Sequence, residues 1–104
     1  MDKERRAHDV KALRGVRFYA RGDGSRYQIA VLTTVVHDGN EFGKEFVAPP
    51  EWTRIEVPFS QLAQSPFFGR QRRWTGTDVR GIQFGTAAAP LDAYILQVDE
   101  ISFY

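Results

Sequence analysis

Val16-Arg17-Phe18-Tyr19-Ala20-Arg21, Gly22-Asp23-Gly24-Ser25 and Arg26-Tyr27-Gln28-Ile29-Ala30-Val31 run together without interruption, and this stretch decides the fold class. In its first part Val16, Phe18 and Ala20 alternate with Arg17, Tyr19 and Arg21, the period of two expected of a half-buried strand. Gly22 to Ser25 carries the residues that tolerate positive φ, so a tight turn is expected there, closing a hairpin. The second run continues to Val36 with apolar residues on both faces. Tyr27, Ile29 and Val31 lie on one, and Ala30, Leu32 and Val36 on the other. That pattern predicts a strand central in its sheet.

The rest of the chain repeats the same grammar. Downstream, Asp38-Gly39-Asn40 is a second turn and Glu41 to Ala48 a third strand carrying Phe42 and Phe46. Pro49-Pro50 ends it, because proline cannot continue a sheet ladder. Trp52 to Phe59 is a fourth strand, with Ile55, Val57 and Phe59 inward, Arg54 and Glu56 outward, and Pro58 marking an edge or a bulge. Ser60 to Thr77 is a long irregular connection, and loops longer than ~12–15 residues are uncommon and often functional. Asp78 to Thr86 is a fifth strand with Ile82 and Phe84 inward, Ala87 to Pro90 a link, and Tyr94 to Tyr104 the last strand. In that strand Tyr94, Leu96 and Val98 share one phase while Ile101 and Phe103 share the other, so a bulge near Asp99-Glu100 is expected to return both sets to the core. Upstream, residues 1–8 are polar and expected to fray, and Asp9 to Leu13 is a lead-in that packs Val10 and Leu13. About six strands without a convincing helix predict an all-β, antiparallel β-sandwich over residues 9–104.

Composition narrows the function classes. The chain has 104 residues, enough for one domain with one core. Its net charge of +1 lacks the basic excess of a domain built for nucleic acid, so no nucleic-acid partner is expected. Cysteine is absent, which removes disulfides, thiol catalysis and Cys-ligated zinc but leaves the compartment open. No run approaches the ~20 apolar residues that a membrane-spanning helix needs. Met1 to His8 is too polar for a signal peptide, so an exported form would take its signal from outside these residues.

The order and spacing of several segments resemble a known family. Leu13 to Gly24, then Tyr27, Phe46, Trp52, Ile55-Glu56-Val57-Pro58-Phe59-Ser60, Gly69-Arg70 and Asp78 to Phe84 are similar to the complex I intermediate-associated protein domain. Leu96 to Phe103 is similar both to that family and to the related family-eleven carbohydrate-binding modules. The resemblance covers roughly Asp9 to Tyr104 and implies a galactose-binding-like jelly roll. It also implies a binding or scaffolding role. Family domains begin several strands earlier, so the chain is expected to be a C-terminal piece or a shortened member. Its uncovered sheet edges would then need a partner, a missing segment or self-association.

Candidate sites follow from residue type and phase. Tyr19 points away from the core between Arg17 and Arg21, and Gln28, Gln83 and Gln97 share the outward phase. An aromatic platform with planar amides around it is what a sugar ring needs, so Arg17, Tyr19, Gln28, Gln83 and Gln97 form the candidate ligand face. In the related carbohydrate-binding modules the concave sheet carries such tyrosines, and Tyr19 and Tyr27 lie on the matching strands. A solvated sheet face is the alternative. Arg70, Arg72, Arg73 and Trp74 form a loop candidate, with Arg72 and Trp74 at its centre; the alternative is a solvated loop with Trp74 tucked onto the core. The resemblance makes Asp99 a calcium candidate, but calcium takes several oxygen ligands, and a bulge or edge residue bonded to backbone is the competing role. His37 with Asp38 and Glu41 reads as turn polarity rather than a metal site. Arg21-Gly22-Asp23 reads as turn chemistry rather than an integrin motif. His8 and His37 are far apart, no carboxylates form an acid/base couple, and no cofactor is called for. The expectation is a non-catalytic domain that binds a protein partner or, alternatively, a polysaccharide.

Overall fold

The computed structural model describes residues 8–67, 69–86 and 96–104. Six strands form: β1 (Gly15–Gly22), β2 (Arg26–Thr33), β3 (Phe42–Val47), β4 (Thr53–Pro58), β5 (Val79–Thr86) and β6 (Leu96–Phe103). They make two three-stranded antiparallel sheets in the orders β4-β1-β6 and β3-β2-β5, packed as a sandwich. A 3-10 turn, Phe59–Gln61, follows β4. No helix among the described residues is long and apolar enough to cross a membrane.

The alternation decides which rows meet. Val16, Phe18 and Ala20 of β1 and Tyr27 and Ile29 of β2 are fully buried, and Phe46, Ala48 and Val57 join them. Phe18 sits edge-on to Phe46 and Phe84 at centroid distances of 5.2 and 5.1 Å. Burying one such side chain contributes about 1.5–3 kcal/mol, so this layer dominates the fold's stability. A second cluster, Val10, Val31, Phe59 and Val79, closes one end of the sandwich.

The hairpin expected between β1 and β2 does not form. β1 pairs with β4 (Phe18↔Ile55) and β6 (Ala20↔Val98), whereas β2 pairs with β3 (Tyr27↔Phe46) and β5 (Ile29↔Phe84). Gly22 to Ser25 is therefore a corner that carries the chain from one sheet to the other. The reason is burial: two adjacent strands of one sheet line the same face side by side, but strands in facing sheets bury their apolar rows against each other. Gly24 takes φ +83°, and the Asp23 carboxylate accepts from the Tyr27 hydroxyl at 2.7 Å and the Ser25 N–H at 3.0 Å. The second crossover lies alongside, since the N–H groups of Gly22 and Gly24 donate to the carbonyls of Pro49 and Ala48, both at 2.8 Å. Among the described residues the hairpin within a sheet joins β2 to β3 through Asp38-Gly39-Asn40. β2 is central, as its two apolar faces predict, and so is β1.

The last strand carries the predicted bulge with one difference. The register steps from Tyr19↔Asp99 to Arg17↔Ser102, so Glu100 and Ile101 together oppose Phe18. Leu96, Val98 and Phe103 reach the core, but Ile101, inside the bulge, stays 46% exposed. In the lead-in Val10 is buried while Leu13 is exposed. His8 exchanges backbone hydrogen bonds with Val79, tying the lead-in to the outer edge of β5. The expected link at 87–90 and the start of the last strand at Tyr94 lie outside the described residues.

Candidate functional site

Two sheets give the sandwich two outer faces, built from different residues. On β4-β1-β6 the outward row of β1 is Arg17, Tyr19 and Arg21. Strand register sets Tyr19 between Arg54 and Asp99, Arg17 between Glu56 and Ser102, and Arg21 opposite Gln97. Glu56 holds two guanidiniums, Arg54 at 2.5 Å and Arg17 at 3.9 Å. Arg17 also lies over the Tyr104 ring, 5.3 Å from its centroid, and Arg21 lies over the Trp52 ring at 4.9 Å while donating to the Gln97 carbonyl oxygen. Trp52 stands just before β4 and remains 44% exposed, and Tyr19 is 37% exposed. Tyr19 divides the surface into two hollows. One, of about 300 Å³, is lined by Arg17, Tyr19, Arg54, Glu100 and Ser102. The other, of about 260 Å³, is lined by Tyr19, Trp52, Asp99 and Glu100.

The outer face of β3-β2-β5 is floored with small residues. Ala30 lies opposite Gly43 and Gln83, and Gln28 opposite Glu45 and Gly85. The Gln28 amide lies across Gly43, where an added Cβ would stand 2.7 Å from Gln28 Nε2. The result is a groove of about 450 Å³, walled by Asn40, Glu41, Ala63 and Ser65. The wall is built by side chains that bond backbone. Buried Asn40 donates to the Ser65 carbonyl (2.9 Å) and accepts from the Ser65 N–H (2.8 Å), and Gln64 donates to the Asn40 carbonyl (2.7 Å). The Asp38 carboxylate accepts from the N–H groups of Arg70 (2.7 Å) and Asn40 (3.1 Å), and these bonds hold its pKa below the usual range. Glu41 goes the other way: burial raises its pKa, Arg80 opposes the rise and Asp38 adds to it. Glu41 Oε1 has no hydrogen-bond partner.

The five residues expected on one ligand face are thus divided. Arg17, Tyr19 and Gln97 share the outside of β4-β1-β6, whereas Gln28 and Gln83 line the groove on the opposite side of the sandwich. All five point outward as expected; what failed is the assumption that β1 and β2 are neighbours in one sheet. In the loop candidate, Trp74 packs on Phe59 and Phe42 with centroids 4.9 and 5.3 Å away, which turns its ring into the fold. The backbone N–H of Arg72 donates to Gln64 Oε1 at 2.6 Å, and the residue is exposed. Asp99 lies on an edge strand and accepts from the Glu100 N–H at 2.8 Å, the edge-residue role weighed against calcium. No group of three or more His, Asp or Glu able to hold a metal occurs among the described residues.

Several residues of these surfaces escape sequence reasoning. Arg21 shares the phase of Arg17 and Tyr19, so its outward placement was readable. Trp52 and Arg54 join Tyr19 only through the β1–β4 register, which nothing local announces. Glu100 is the one non-glycine at positive φ among the described residues (54°), a product of the bulge.

No curated protein and no solved structure matches the chain. The family model of complex I intermediate-associated protein 30 matches residues 1–98, nearly the whole chain, so this two-sheet β domain belongs to the complex I intermediate-associated protein 30 family.

Proposed function

We propose that this chain is a non-catalytic protein-interaction domain that engages its partner through the outer face of β4-β1-β6. One observation carries the reading: Tyr19, Trp52, Arg17 and Arg54 cluster around two hollows on that face, with Arg21 stacked on Trp52. Tyrosine, tryptophan and arginine are the residues in which the binding energy of protein interfaces concentrates. The stacked and ion-paired arginines hold their side chains in place before a partner arrives, which lowers the entropy lost on binding. The family's description, complex I intermediate-associated, supports a partner that is an assembly intermediate of a larger complex.

The polysaccharide alternative draws on the Gln28–Gln83 groove. It loses its platform, because Tyr19 is on the other side of the sandwich and Phe84, the ring beside the groove, packs inward on Phe18 and Phe46. The test places a photo-cross-linking residue at Tyr19 or Arg54 and, separately, at Gln28 or Gln83, in the full chain in its own cell. Discrete protein adducts from the first pair alone are expected. Adducts from the groove pair alone, or a saturable tryptophan-fluorescence response to a β-glucan, would sink the proposal.

A further inference from the structure

We infer that the hollow bounded by Tyr19, Trp52, Asp99 and Glu100 receives a cationic side chain, a lysine or an arginine, from the partner protein; this rests on the interaction reading above. Three features of the hollow select that ligand.

The first is the pairing of rings with carboxylates. Half-exposed Tyr19 and Trp52 supply π-faces, and Asp99 and Glu100 supply the negative charge, while no basic residue among those described lines the space. Cations bind where an aromatic face and an anion converge. The second is that these carboxylates are unclaimed. On the same sheet face Glu56 takes Arg17 and Arg54, but among the described residues Asp99 and Glu100 form no ion pair. Arg17 and Arg54 line the other hollow, which Glu100 also borders, and Arg21 reaches the rim of this one through Trp52. The third is that Trp52 already accepts a guanidinium, since Arg21 lies 4.9 Å from its ring centroid. Arg21 takes one face of that ring, so the incoming cation uses the ring's remaining surface beside Asp99 and Glu100.

The bulge explains how both carboxylates reach one hollow. Regular alternation would send Asp99 and Glu100 to opposite faces of β6. The extra residue breaks that alternation, and Glu100 at φ 54° lines the outer surface beside Asp99. The volume, about 260 Å³, suits one side-chain head rather than a folded segment. Two carboxylates fall short of the 6–8 oxygens of a calcium site.

The test titrates the domain with four capped tripeptides, acetyl-Gly-X-Gly-amide, in which X is lysine, arginine, trimethyl-lysine or norleucine. Amide and indole NMR shifts are the readout. A saturable shift of the Trp52 indole with the cationic peptides, weakened by salt and at least ten-fold weaker with norleucine, is expected. The double variant Asp99→Asn/Glu100→Gln should lose ten-fold or more in affinity. Trp52→Phe, which keeps a π-face, should retain more affinity than Trp52→Ala. Equal binding of norleucine, or unchanged affinity in the double variant, overturns the inference. The photo-cross-link from Arg54 separates this failure from that of the interaction reading. An adduct that forms equally well in the double variant leaves the interaction face standing without its cation site, and absence of any adduct in the unaltered chain removes both.

Discussion

The two outer faces of the sandwich are made from the same pattern and have opposite characters. β1 and β2 each put every second residue outward, but β1 presents Arg17, Tyr19 and Arg21 where β2 presents Gln28 and Ala30. Large side chains on the first face prop one another up and leave two shallow hollows; small ones on the second leave a groove whose walls are a loop held by side chains that bond its backbone. A strand's polar phase therefore marks a residue as outward without saying which outside it belongs to. The first face offers aromatic area and charge, whereas the second offers amides and a walled floor.

The comparison breaks most completely if the layer between the faces is removed. Phe18→Ala deletes the ring that meets Phe46 and Phe84, and a cost of about 3–5 kcal/mol is expected by chemical denaturation, enough to lose both faces together. If the faces instead act separately, Trp52→Ala should weaken partner binding ten-fold or more while costing under about 1 kcal/mol of stability. Gln28→Ala/Gln83→Ala should leave the affinity unchanged, and calorimetry against the cross-linked partner checks both variants.

Acid titration sharpens the contrast from the groove side. Asp38 is held below its ordinary 3.8 by the N–H of Arg70 and then of Asn40, so its contribution is present above that value and is lost as pH falls through the depressed folded pKa. Asp38→Asn should lower Tm at neutral pH, and the deficit should shrink in strong acid. Glu41 has the reverse sign. Its pKa is raised above 4.5 chiefly by burial, so its native state is most stable below 4.5 and loses stability as pH rises through the folded value. Glu41→Gln should raise Tm at neutral pH, and the gain should vanish below 4.5. Opposite-signed melting shifts from two neighbouring wall residues would locate this pH dependence in the wall. The smallest effect is expected of Gly43→Ala, whose Cβ displaces the mobile end of Gln28. Its NMR shifts should stay within the groove and not reach Tyr19.

Much of the strand pattern is readable from the chain. Alternation at Val16–Arg21, at Tyr27–Val31 and at Ile55–Val57 places β1, β2 and β4, and the phase slip between Val98 and Ile101 announces the bulge. These succeed because strand period and proline or glycine breaks are local. Less of the surface chemistry is readable. Trp74 could be weighed as loop or core, and only its contacts with Phe42 and Phe59 decide for the core. The Gly22–Ser25 corner has the composition of a hairpin turn, and nothing within those four residues distinguishes a turn inside a sheet from a turn between sheets.

By itself, then, the sequence determined the all-β class, the approximate strand positions, the central place of β2 and the outward rows of β1 and β2, since each depends on residues a few positions apart. Only the tertiary structure decided which strands are neighbours, hence that Tyr19 keeps company with Arg54, Trp52 and Asp99 rather than with Gln28 and Gln83. The physical reason is that strand pairing is chosen by burial of whole apolar rows against each other across the sandwich, a sum over residues far apart in the chain that no single segment contains.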